Sequence, residues 1–175
     1  MKKIYIAGPD VFEPNSIEIG KEYVKICQQY GFVGMYPLDN MIDFNQEKKK
    51  IAMDIFEANI DLIKQVDIVV ANLNPFRGKE ADSGTVWECG YAYGLGKEVI
   101  GYMDSTLPYF EQFLESEKKL SGDLYVDKDG RMIEDFDYPT NLMIACSVKK
   151  IVQGCFEDAI KVICQFNSFS VMPKF

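Results

Sequence analysis

The sequence predicts an α/β fold built on a five-stranded parallel sheet with helices on both faces. Three observations carry this. Short β-rich runs alternate with helical patterns along the chain, the connections between them are short, and the run at 67–73 (DIVVANL) reads as a buried strand. At 175 residues the chain fits one domain with a sizeable core. Right-handed crossovers then give an expected strand order of 2-1-3-4-5.

Each element has its own signal. Lys3–Ala7 is a first strand stopped by Gly8 and Pro9. Asn15 or Ser16 opens a helix with Ile19, Tyr23, Val24, Ile26, Cys27 and Tyr30 on one broad face, and Gly31 ends it. Residues 32–36 form a second strand stopped by Pro37, and 38–47 an acidic and amidic loop. Lys48–Gln65 places Ile51, Ile55, Ala58, Leu62 and Ile63 at helical spacing. After the strand at 67–73, Asp82 or Ser83 opens a helix to about Leu95, and Glu98–Met103 is a fourth strand. Residues 104–140 are a charged, irregular insertion, with a short helix near 109–119 and a small hairpin near 125–132. A short helix at 141–145, a brief strand at 150–152 and a closing helix at 156–166 complete the chain.

Composition narrows the chemistry. With 19 Lys plus Arg against 27 Asp plus Glu the net charge is −8, which disfavours a phosphate backbone as partner. The absence of histidine removes Ser-His and Cys-His pairs, imidazole bases and His-ligated metals. Proton transfer or nucleophilic attack falls to Asp, Glu, Tyr, Cys, Lys or Ser. The five cysteines include no C-x-x-C pair and are expected as small buried hydrophobes in a reduced, cytoplasmic protein. Neither a signal peptide nor a run of the ~20 apolar residues that a membrane span needs is expected.

In open α/β sheets ligands sit beyond the carboxyl ends of the strands, near the switch in strand order. That directs attention to residues 8–12, residues 72–82 and the start of the helix that follows. The segment 77–88 (RGKEADSGTVWE) is polar, but is neither a P-loop nor a dinucleotide fingerprint. Glu88 lies one to two turns inside that helix, with Gly84 and Ala92 four residues to either side, so its face has space for a ligand. Asp82 sits at the helix start. Two carboxylates so placed suit glycosyl chemistry, in which one is the nucleophile and no imidazole is needed. The alternative is that Asp82 only caps the helix and Glu88 is a solvated surface charge. Tyr5, on a buried strand, reads more readily as core than as catalytic.

Several segments together resemble the nucleoside 2-deoxyribosyltransferase family. They are 3–9 (KIYIAGP), 67–73 with Pro75-Phe76-Arg77-Gly78, 82–92 (DSGTVWECGYA) and Asn141-Leu142-Met143, in the family's order. The resemblance implies a single flavodoxin-like domain over 1–175 that moves a 2-deoxyribosyl group between nucleobases. It implies Glu88 as nucleophile, Asp82 on the sugar hydroxyl and Tyr5 orienting the nucleophile. Gly8 and Phe12 join the substrate contacts. It implies a homo-oligomer, a dimer or trimer of dimers, in which Asn141 and Met143 reach the neighbouring subunit's site. No metal or cofactor is implied, nor any nucleic-acid or membrane partner.

One position departs from the pattern. Where some members carry an Asp that relays a proton to the base, this chain has Asn59, with Asp61 two residues on. Base recognition is assigned to Asn59 with Asp61 in reserve, and an amide does not readily relay a proton. Base choice is expected to lie in residues 10–14 and 38–47. The closest rival activity is an N-glycosidase hydrolysing deoxynucleosides or their 5′-monophosphates, for which Arg77 and Lys79 are the nearby cations. A reading of another class is a non-catalytic nucleoside sensor.

Overall fold

The computed structural model describes residues 1–37 and 42–169. Five strands, β1 (Lys3–Ala7), β2 (Val33–Met35), β3 (Ile68–Asn72), β4 (Glu98–Met103) and β7 (Lys150–Gln153), pair in parallel in the order β2-β1-β3-β4-β7. This is the expected 2-1-3-4-5 order. The helices are α1 (Ser16–Gln29), α2 (Lys48–Gln65), α3 (Ser83–Gly94), α4 (Leu142–Ala145) and α5 (Phe156–Phe169). A two-stranded hairpin, β5 (Lys119–Ser121) with β6 (Leu124–Val126), stands apart from the main sheet.

Strand periodicity sorts the core into two layers. Ile4 and Ile6 of β1, Ile68 and Val70 of β3, and Ile100 and Tyr102 of β4 pack with Cys27 of α1 and with Phe156, Ile160 and Ile163 of α5. The alternate residues Tyr5 and Ala7, Val69 and Ala71, and Val99 and Met103 pack with Ile63 of α2 and Cys89 and Ala92 of α3. Both faces are covered, which is why the central strands are buried along their length. Register and pleat therefore turn Tyr5 toward α2 and α3.

The connections set the geometry of the sheet's carboxyl edge. Gly8 follows β1, and a Cβ there would lie 2.6 Å from Asp10 Oδ2 and 2.9 Å from Asn72 Cβ, so only glycine lets the turn approach β3 this closely. The Pro9–Phe12 3₁₀ turn is anchored through Asp10, which accepts from Asn72 Nδ2 at 3.0 Å and from the Tyr23 hydroxyl at 3.3 Å. Lys97 donates to the carbonyls of Lys64 (3.0 Å) and Val66 (2.7 Å), closing the C-terminal end of α2.

Four expectations need correction. The second strand is trimmed to Val33–Met35 at the sheet edge. The hairpin lies at 119–126 rather than 125–132, and only a single bridge, Val126 to Met132, continues it. The helix near 109–119 is two separate 3₁₀ turns, Tyr109–Gln112 and Glu115–Glu117. Of the cysteines, Cys27 and Cys89 are buried and Cys164 is half-buried, but Cys146 and Cys155 are exposed. Cys146 ends the short helix α4, and Cys155 precedes α5, so neither sits in an element's interior. Of the loop 38–47, residues 38–41 lie outside the described residues, as does the tail beyond Phe169.

Candidate active site

A cavity of about 560 Å³ opens at the carboxyl edge of the sheet between the Pro9–Phe12 turn, the start of α1, α2 and α3. Its lining includes Gly8, Phe12, Asn59, Asp82, Gly84 and Glu88. Every substrate contact and carboxylate assigned above to this chain's own site is thus brought to one place. Tyr5 reaches the same point from below. Its side chain is fully buried, and its hydroxyl donates to Glu88 Oε1 at 2.6 Å. Tyr5 is thus a core residue whose polar end meets a carboxylate that lines the cavity.

Helical phase explains Glu88. On α3 the residues Thr85, Cys89 and Ala92 are buried, and Glu88 falls three after Thr85 and four before Ala92, at the rim of that stripe. A carboxylate there is half-buried rather than solvated. Burial pushes its pKa up to about 7, the Tyr5 hydrogen bond works in the opposite direction, and the charge of Asp82 adds to the rise. Tyr5 is itself pushed well above the ordinary tyrosine range, first by burial and then by the Glu88 charge, so it remains a hydrogen-bond donor. Of the two small neighbours of Glu88, Gly84 lines the cavity and Ala92 instead packs in the core.

Asp82 is the N-cap of α3, and its side chain accepts from Thr85 N–H (2.9 Å) and Thr85 Oγ1 (3.0 Å). Both bonds end on Oδ2, so Oδ1 remains for a ligand. Capping and a place in the cavity coexist in one residue. On α2, Asn59 lines the cavity four residues after Ile55, which also lines it. Asp61 is turned away, exposed and paired with Lys64 at 3.1 Å.

Asn141 and Met143 do not join this cavity. They line a separate groove with Ser83, Val86 and Tyr93 on another side of α3, and Met143 is 73% exposed. Asn141 caps α4 by accepting from Met143 N–H, and its Nδ2 donates to Glu134 at 2.6 Å. Lys79 is also drawn elsewhere. It donates to Gln112 O and Glu117 Oε2, both at 3.1 Å, and sits over Phe113, which ties the 104–140 insertion to the β3–α3 loop. Neither Lys79 nor Arg77 lines the Glu88 cavity.

Sequence reasoning located the apolar wall of the site only in part. Val11, Ile17, Phe44 and Ile55 line it from four different segments. Val11 and Phe44 fall in the stretches 10–14 and 38–47 where base choice is expected, Ile55 stands in the helical spacing one turn before Asn59, and Ile17 carried no site signal. The Asp10–Asn72–Tyr23 anchor was missed as well, since those residues are 13 to 62 positions apart. Among the described residues no helix is long and apolar enough to cross a membrane, and no cluster of three or more metal-ligating side chains occurs.

Comparison with known proteins agrees with this geometry. The family model for nucleoside 2-deoxyribosyltransferases matches residues 4–143. An uncharacterized protein of Schizosaccharomyces pombe is 31% identical over 182 positions, covering 90% of this chain and 86% of that one. Among solved structures, a 2-desoxiribosyltransferase from Leishmania mexicana superposes with a TM-score of 0.72 at 32% identity, over 94% of this chain and 98% of that one. A 2-deoxyribosyltransferase from Bacillus psychrosaccharolyticus, 21% identical over 90% of each chain with a TM-score of 0.57, shares the fold. A buried Tyr–Glu pair beneath an apolar cavity, the parallel sheet that carries it and the match over most of the chain have one reading: this protein belongs to the nucleoside 2-deoxyribosyltransferase family of glycosyltransferase enzymes.

Proposed function

We propose that this enzyme transfers the 2-deoxyribosyl group between nucleobases of 2′-deoxynucleosides through a covalent sugar–Glu88 ester. The observation that carries the reading is the 2.6 Å Tyr5–Glu88 hydrogen bond at the cavity floor. Ionised Glu88 attacks the anomeric carbon from the face opposite the base. The C1′–N bond breaks, its electron pair leaves with the base, and a C1′–O bond to Glu88 forms. The departing base takes a proton from water. A nitrogen of the second base then attacks C1′ and gives up its N–H proton to water, the ester bond breaks and Glu88 is a carboxylate again. Two displacements restore the original configuration.

Each neighbour has a part in this. Tyr5 donates to one Glu88 oxygen and holds the other toward the sugar. Asp82 Oδ1 takes the sugar hydroxyl. Asn59 contacts the base by donating and accepting through its amide. The apolar walls hold water away from the ester, which favours a base over hydrolysis. An apolar cavity with no lysine or arginine among the described residues of its lining suits a neutral nucleoside better than a 5′-monophosphate. The chain acts as one domain, and its five free thiols fit a reducing cytoplasm. Asn141 and Met143, outside their own cavity and with Met143 exposed, complete a neighbouring copy's site in a homo-oligomer. The mass of the assembly in solution checks this last point.

One assay tests the activity. Deoxyinosine or thymidine is incubated with and without adenine or cytosine, and products are separated by chromatography. New deoxynucleoside that requires the acceptor is the expected result. Free base released at the same rate without acceptor identifies a hydrolase, and binding without turnover identifies a sensor.

The acid limb of the pH profile follows from Glu88. Its carboxyl must be ionised to attack and its pKa is raised to about 7, so kcat/KM rises with pH through that region. The Tyr5 hydrogen bond lowers that pKa, so Tyr5→Phe moves the midpoint to higher pH. Profiles of kcat/KM from pH 5 to 9 measure it, and an unmoved midpoint removes Tyr5 from its orienting role.

A further inference from the structure

Arg77 has no part in the mechanism above, yet its position is specific. It is exposed in the β3–α3 loop, and no carboxylate among the described residues forms an ion pair with it. Its backbone takes φ 55°, a left-handed conformation disfavoured for any residue with a Cβ. In that conformation its guanidinium carbon lies 4.6 Å from the centroid of the Phe76 ring and 5.3 Å from that of Phe12. The two rings are stacked on each other, 5.5 Å apart and 15° from parallel. Phe12 lines the Glu88 cavity and is 57% exposed.

The stack joins two loops that leave different strands. Phe12 ends the turn after β1, whereas Phe76 and Arg77 belong to the loop after β3. The Phe76 N–H donates to Glu80 O at 2.8 Å, so that loop is pinned independently of the cavity. The Asp10 anchor holds the beginning of the turn, but its bonds go to Asn72 and Tyr23 and not to the Phe12 ring. What orients that ring is the Phe76 face and the guanidinium against both rings. A planar cation is well suited to this, because it lies flat on aromatic surfaces and keeps its charge in water.

We infer that Arg77 is a positioning residue that sets the Phe12 ring as a stacking wall for the incoming free nucleobase, a planar uncharged heteroaromatic ring. It acts through Phe12 and touches neither sugar nor reacting atoms, so it governs how well the acceptor base is held rather than how fast the bond forms. The inference rests on the base-exchange reading of the cavity.

The test compares wild type, Arg77→Gly and Arg77→Ala in transfer from deoxyinosine at varied adenine or cytosine. Glycine is at ease at positive φ and keeps the loop's conformation while deleting the guanidinium, whereas alanine deletes it and retains the strain. Both variants are expected to raise the acceptor KM about two- to fivefold, the range of an exposed cation–π contact. In both, kcat and the midpoint of the acid limb stay as in wild type. A wild-type acceptor KM in Arg77→Gly overturns the inference, since the backbone twist alone would then explain the residue. A loss confined to kcat overturns it too. If wild type itself makes no new deoxynucleoside, the exchange reading fails instead, so the two failures are told apart.

Discussion

Glu88→Gln lowers deoxyribosyl transfer by at least ~10³-fold and leaves the fold standing. The amide is nearly isosteric and still accepts from the Tyr5 hydroxyl, so the hydrogen bond at the cavity floor survives while the nucleophile is gone. Stability supplies an independent readout. The pKa of Glu88 is raised from 4.5 to about 7 in the folded protein, so the native state holds that proton more tightly than the unfolded chain does. The resulting stabilisation is present below pH 4.5 and is lost as pH rises through about 7, where the buried carboxyl must ionise. The glutamine variant carries no such loss. Its melting temperature therefore matches wild type in acid and exceeds it at pH 8. A variant that keeps its activity rules out the nucleophile assignment, and equal melting at both pH values rules out the burial cost assigned to Glu88.

Asp82 separates two roles with two substitutions. Asp82→Asn keeps an oxygen that accepts from Thr85 N–H and Oγ1, because asparagine caps helices as well as aspartate does. Asp82→Ala removes the cap and costs about 1 kcal/mol of stability. If Oδ1 binds the sugar hydroxyl, both variants lose roughly 10- to 100-fold in kcat/KM for the deoxynucleoside, the range for a hydrogen bond to a charged group, but only alanine lowers the melting temperature. Activity that falls in alanine and is intact in asparagine would mean that Asp82 serves catalysis only by holding α3 in place. Thermal melts and initial rates on the same preparations decide between these.

Most of the scaffold was legible in the residues because each element carries its own local signal. Lys3–Ala7, Lys48–Gln65 and Glu98–Met103 end where their Gly, Pro or charge boundaries say they should. The insertion at 104–140 was not legible in detail. Its hairpin turns at Gly122-Asp123, earlier than expected, and its 3₁₀ turns are held by Lys79 and Glu80, which come from another loop. Cys146 and Cys155 were misread for a related reason, since a helix end and a helix interior look alike at the level of composition.

The candidate site divides along the same line. Sequence alone determined that histidine chemistry is excluded, that Asp82 or Ser83 opens a helix, and that Glu88 rides one to two turns inside it. These are consequences of composition and of a 3.6-residue period, which act over short distances along the chain. Only the tertiary structure decided that Tyr5, 83 residues from Glu88, turns its hydroxyl onto that carboxylate, and that Phe12, Phe76 and Arg77 meet at the cavity's wall. The reason is physical. Which face of β1 carries Tyr5 toward α3 depends on the register of β1 against β3 and on both helical layers closing over the sheet, and burial by those layers is what raises the pKa of Glu88.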